Sequence, residues 1–178
     1  MQNTNQVKAI LAAREQRWQA RQALVGRFGA PLLTLCMNIP GSYKNLPGLT
    51  RAFTRLWTDM QTLHMDMGVL PLFTESGKSA DGPWAQLVSP LSASQLKRLA
   101  LNFEDTHPLG RLADADVLDA RGAPLSRLCM GFAPRSCFVC NDSAALCRRS
   151  SRHTQEELLL FVRGLLTSRL PVAAAQGE

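Results

Sequence analysis

The 178-residue chain has a single tyrosine, four lysines and only 6% aromatic residues. No aromatics are interleaved among its arginines, so the signature of a nucleic-acid-binding module is missing. No apolar stretch approaches the roughly 18 residues that span a bilayer, and no membrane attachment is expected. Met1-Gln-Asn-Thr-Asn lacks the basic-then-apolar order of a secretory leader. A cytoplasmic protein is therefore expected. Gly-x-x-x-x-Gly-Lys-[Ser/Thr] and Gly-x-Gly-x-x-Gly are absent, which disfavours P-loop kinases and Rossmann dehydrogenases. No Gly-x-Ser-x-Gly elbow is present, which disfavours an ordinary α/β-hydrolase. Five cysteines are an odd number, so a fully paired disulfide framework is excluded.

What is present suffices for a core. Hydrophobic residues make up 46% of the chain, and a domain of this size buries a core without staples. Helical spacing marks residues 6–28, 49–67, 92–107 and 154–170, the last two opened by the capping boxes Ser92-x-x-Gln95 and Thr154-x-x-Glu157. Short apolar or alternating runs mark strands at 32–38, 69–74, 84–88 and 114–119, with 75–83 read as a polar loop and Asp142 as a candidate N-cap of a small helix. The fold class expected is α+β, a single domain over residues 1–171 with a mixed sheet and flanking helices. The Cys/His-rich basic segment 129–153 lies within it, and 172–178 form a tail.

The net charge is +6, and 16 of the 20 basic residues are arginine. Arginine's planar fork matches phosphate and carboxylate. On the first helix Arg14, Arg17 and Arg21 share one face. Between Arg121 and Arg152 six arginines face a single acid, Asp142. An anionic ligand or an acidic partner fits this balance, as does a merely solvated basic loop.

Three groups of residues carry candidate chemistry. In Gly110-Arg-Leu-Ala-Asp114-Ala-Asp116, residues i and i+2 of a strand point the same way. Asp114 and Asp116 would then set two mutually repelling carboxylates side by side, a pair suited to Mg²⁺ or Mn²⁺ against a triphosphate. The same pattern also suits a solvated strand face. Cys137-x-x-Cys140-x6-Cys147-x5-His153 has the donors of a Cys₃His zinc site, or of buried thiols under a loop. The loop Asn38–Pro47 places Lys44 where a phosphate could meet it. Of the histidines, His107 before the Asp-rich strand is the better site candidate, and His64 reads as packed.

Together these segments resemble the holo-citrate lyase synthase family, the apo-citrate lyase phosphoribosyl-dephospho-CoA transferases. The resemblance rests on Asn38-Ile-Pro-Gly-x-x-Lys44, Leu70-Pro-Leu-Phe-Thr-Glu-Ser76 and His107-Pro-Leu-Gly-Arg-Leu-x-Asp-x-Asp-Val117. It continues through Pro134-Arg-x-Cys-x-x-Cys140, Cys147-x-Arg149-Ser and Arg152-His153-x-x-Glu-Glu-Leu158. Ala113 departs from it, where a tryptophan is expected. The resemblance implies a nucleotidyltransferase-like site that moves 2'-(5''-phosphoribosyl)-3'-dephospho-CoA from its triphosphate precursor to a serine of the citrate lyase acyl-carrier (gamma) subunit, releasing diphosphate. It implies Mg²⁺ on Asp114 and Asp116, and Arg111, Lys44 and some of Arg148, Arg149 and Arg152 on phosphates, with Arg149 and Arg152 foremost. It implies His107, or a carboxylate in its place, as the group that orients or deprotonates the serine; a structural zinc on Cys137, Cys140, Cys147 and His153 stays a reading of the Cys/His spacing. Two rival readings are the same transfer onto a malonate decarboxylase-type carrier, and a non-catalytic zinc-stabilised adaptor for an acidic partner.

Overall fold

The computed structural model describes residues 2–41 and 46–170, with side chains from residue 5 onward. In chain order the elements are α1 (Gln2–Phe28), β1 (Leu32–Met37), α2 (Leu49–Met65), β2 (Phe73–Ser79), β3 (Gly82–Val88), α3 (Ala93–Thr106), β4 (Ala113–Leu118), α4 (Ala144–Arg149) and α5 (Gln155–Arg169). The expected α+β class is the one observed. The four strands lie in the order β2-β3-β1-β4, and every neighbouring pair is antiparallel, where a mixed sheet was expected. A two-residue turn, Ala80-Asp81, joins β2 to β3, and antiparallel pairing is what so short a connection permits.

The strand expected at 69–74 lies instead at Phe73–Ser79, over most of the segment read as a loop. This strand forms the sheet's edge and its side chains are largely exposed. Its sequence, Phe-Thr-Glu-Ser-Gly-Lys-Ser, carries no apolar alternation, as suits an edge that must not recruit another chain.

The sheet's two faces differ. On one, Leu33, Leu35, Ala85, Leu87, Ala115 and Val117 pack against Leu56 and Met60 of α2 and Leu96, Ala100 and Phe103 of α3. The other face changes character along the strands. At one end Leu32, Val88 and Leu118 stand in one cross-strand row under Val25 of α1. The next row is polar, Glu75, Gln86, Thr34 and Asp116, and the one after it is mixed, Gly77, Trp84, Cys36 and Asp114. The apolar end anchors α1, and the polar end is left to form a site.

The outer edge of β4 is closed by side chains of α3. The Lys97 ammonium donates to the Ala115 carbonyl at 3.2 Å, and Glu104 Oε1 accepts the Ala115 N–H at 2.8 Å. Both charged groups are buried, and Glu104 also receives Arg127 and Arg135. The residue between the two aspartates is thus held on both of its main-chain polar groups. Gly110 lets the turn before β4 close on the end of α3, because a Cβ there would lie 2.6 Å from the Phe103 carbonyl oxygen. Glu104→Gln keeps the shape but loses the charge that two guanidinium groups need. A loss of about 1–3 kcal/mol in denaturant unfolding is expected, against almost none for Glu156→Gln on the exposed first turn of α5.

Candidate active-site cleft

A cleft of about 1320 Å³ opens over the polar half of the sheet. This exceeds the roughly 300–1,000 Å³ typical of small-ligand sites. Its floor carries Asp114, Asp116 and Cys36, one wall is α1, and the other is the segment Pro134–His153. The alternation of β4 sends Ala113, Ala115 and Val117 into the core and both aspartates into the cleft.

Asp114 keeps about half of its side-chain area open, and its nearest cation is Arg135 at 3.5 Å. Loss of surrounding water, and then the adjacent Asp116, push its carboxyl up from the ordinary value, against the pull of Arg135. Thr34, cross-strand from Asp116, has a buried hydroxyl with no partner among the described residues. Two repelling carboxylates beside an unsatisfied hydroxyl form an oxygen donor set that fits a hard divalent cation.

The α1 wall presents Leu11, Arg14, Glu15, Arg17, Trp18 and Arg21, the spacing of one helical face. Arg17 is committed: it makes a two-pronged pair with Asp81 and also donates to Ser79 Oγ at 2.7 Å. Burial opposes charge on Asp81, but Arg17 and Ser79 hold its carboxyl below the ordinary value. The β2–β3 turn is thereby pinned to α1. Arg21 instead lies over the floor, with Nη2 3.7 Å from the Cys36 sulfur.

On the opposite wall Cys137, Cys140, Cys147 and His153 converge. One ligand atom from each lies within 4.8 Å of all the others. Cys140 Sγ is 3.5 Å from Cys147 Sγ and 3.3 Å from His153 Nε2. Tetrahedral zinc with Zn–S of about 2.3 Å sets its sulfurs about 3.8 Å apart, so this set could hold a metal ion. Burial works against a thiolate at Cys137, yet the backbone N–H groups of Val139 and Cys140 and the facing thiols bring its pKa below the ordinary value. Cys147 is pushed up to about 11 by burial and by the neighbouring Cys140 and Cys137 thiols. Ser151, at φ 46°, reverses the chain after α4 and brings His153 back to the cluster.

The family model described as apo-citrate lyase phosphoribosyl-dephospho-CoA transferase matches residues 5–169. The chain belongs to that family. A relative from Escherichia coli O139:H28 bearing the same description is 32% identical over 160 residues, which are 90% of this chain and 87% of that protein. The Haemophilus influenzae protein named CitXG is 31% identical over 159 residues, 89% of this chain but only 34% of that longer polypeptide.

As a member of this transferase family, the chain can be compared residue by residue with the expected site. The structure brings Asp114 and Asp116 to one cleft with the Cys/His set, whose Cys137, Cys147 and His153 line it. It does not bring His107 there. His107 closes α3 on the core side of the sheet, where Nε2 lies 2.9 Å from Asp59, Nδ1 accepts the Leu109 N–H at 3.0 Å, and the ring stacks on Phe103. Arg111 is held by the carbonyls of Ser136 and Cys137 and lies over the Phe138 ring. It ties the Cys/His segment to the turn before β4. Arg149 is exposed, and Arg152 pairs with Asp142; neither lines the cleft. Lys44 lies outside the described residues, as does the tail from residue 171. Asp142 precedes the N-cap of α4, which is Ser143. Of the arginine run before α5, Arg148 does line the cleft, together with Arg14, Arg17 and Arg21 of the shared α1 face; Arg135, to which the sequence assigned no role, lines it as well. Among the described helices none is long and apolar enough to cross a membrane.

Proposed function

We propose that this chain transfers 2'-(5''-phosphoribosyl)-3'-dephospho-CoA from its triphosphate precursor to a serine of the apo-citrate lyase acyl-carrier subunit. The observation that carries the reading is the pair Asp114 and Asp116, side by side on the floor of a large cleft with arginines on both walls. The serine oxygen attacks the α-phosphorus next to the ribose. A phosphodiester forms, the bond from the α-phosphorus to its bridging oxygen breaks, and diphosphate leaves with that electron pair. The serine's hydroxyl proton passes to solvent water. Mg²⁺ on Asp114 and Asp116 would supply charge neutralisation on the attacked and leaving phosphates.

The protein's own residues bind and orient. Asp114 and Asp116 fix the reacting end of the donor, and Arg21 and Arg148 offset its negative charge. His107, engaged with Asp59 across the sheet, is given no step. The Cys₃His set holds zinc in a structural role. The exposed Arg149 and Arg152 extend a basic rim toward an acidic carrier, in a cytoplasmic setting.

Mass spectrometry of carrier proteins incubated with the chain, precursor and Mg²⁺ tests this reading. A covalent mass gain on the serine of the citrate lyase carrier is expected. A gain on a malonate decarboxylase-type carrier alone would redirect the substrate. Carrier and zinc binding without any mass gain would leave the adaptor.

A further inference from the structure

The cations around the cleft are not equivalent. Arg17 is spent on Asp81, and Arg14 lies 3.4 Å from the same carboxylate. Arg135 is spent on Glu104 and approaches Asp114. Arg21 and Arg148 line the cleft, and neither forms an ion pair among the described residues. The Arg21 Nε is buried and without a partner. Its Nη2 contacts Cys36, which the register sets directly opposite Asp114. A cation with unfilled donors therefore stands one strand away from the aspartate pair.

Three residues earlier on the same helical face is Trp18. It is 41% exposed and lines the cleft. Residues three apart on a helix have Cβ atoms about 5–6 Å apart. An open indole beside an unpaired guanidinium is a platform for an aromatic base that carries phosphates nearby.

We infer that Trp18 and Arg21 of α1, with Arg148 across the cleft, form the subsite for a purine-bearing triphosphate. Arg21 and Arg148 take phosphate oxygens, and Trp18 stacks on the base. This rests on the transfer reading above and deepens it: the sequence motifs fix the reacting phosphate, and α1 fixes the nucleoside end. Specificity for an adenine-containing donor then resides in a helix outside those motifs.

The test is calorimetric binding to the full chain, with Mg²⁺, of two separate probes: inorganic tripolyphosphate and 3'-dephospho-CoA. Arg21→Gln and Arg148→Gln are each expected to weaken tripolyphosphate about tenfold, the loss expected for one charge-assisted contact. Trp18→Ala should leave tripolyphosphate unchanged and weaken 3'-dephospho-CoA about tenfold or more. Trp18→Phe should restore it to within about threefold, because a ring remains to stack. A native chain that binds neither probe overturns the inference. So do variants that bind as the native chain does, or a Trp18→Ala that weakens both probes equally. The transfer reading fails separately, if carrier modification is unaffected by Asp114→Asn. Asp-dependent transfer with unchanged probe affinities would sink the subsite alone.

Discussion

Asp114→Asn and Asp116→Asn are each expected to lower the proposed transfer to the carrier about a thousandfold, with a melting temperature equal to or slightly above that of the native chain. The loss follows from charge. A cation held by two carboxylates contributes several kcal/mol to phosphoryl transition states, and about 1.4 kcal/mol is a factor of ten. An amide keeps the shape of the side chain but provides no anionic donor.

The stability follows from the sign of the shift. Asp114 has a carboxyl pKa raised in the folded chain, by lost hydration and by Asp116. A raised carboxylate pKa means that ionisation disfavours the folded state above the ordinary carboxylate range. Asn removes that penalty at neutral pH. Asp119, at the end of the same strand, serves as the control. Its carboxylate caps the turn by accepting the Arg121 and Ala123 N–H groups at 2.8 and 2.9 Å, and it does not line the cleft. Asp119→Asn should leave turnover within about twofold. Native turnover in both site variants, read by carrier mass gain over time, would remove the aspartate pair from the mechanism.

Much of this was legible because local chemistry and the fold agree. The capping boxes at Ser92 and Thr154 form as the spacing predicts. The alternation of β4 puts both aspartates on one face, because its alanines are buried. His64 is buried against Ser89, at 2.7 Å. The parts that were not legible depend on contacts across the chain. β2 lacks apolar alternation because it is an edge strand, so periodicity could not reveal it. Asp81 is part of a polar turn until Arg17, 64 residues earlier, closes on it. The spacing of Arg14, Arg17 and Arg21 showed a shared face, but only the packing of Val25 on Leu32, Val88 and Leu118 turns that face over the aspartates. His107 looked suited to catalysis from its place beside the motif. A residue that closes a helix is adjacent in sequence yet on the opposite side of the sheet from the strand's outward side chains.

The Cys/His segment carries the second large effect. Between Ala123 and Phe161 the only buried residues are Cys137 and Cys147. A stretch of that length with no core of its own requires another source of order, and both of its buried side chains are metal donors. Zinc held there would supply folding energy to this wall of the cleft. Native protein, purified without chelators, is expected to hold about one zinc per chain. Cobalt substitution should give the intense absorption of sulfur ligation, and Cys140→Ser should abolish it. At zinc about a thousandfold above its dissociation constant, removal costs about 4 kcal/mol. For a chain of this size that lowers the melting temperature by about 10 °C. Hydrogen exchange should speed up in residues 134–153 and stay slow in β1 and β3, since the sheet's core contains none of the four ligands. Metal-free protein with unchanged melting and exchange would reduce the four residues to packed thiols and a histidine. A loss confined to that segment would show that the metal orders the wall carrying Arg148, while the floor carrying Asp114 and Asp116 stands without it.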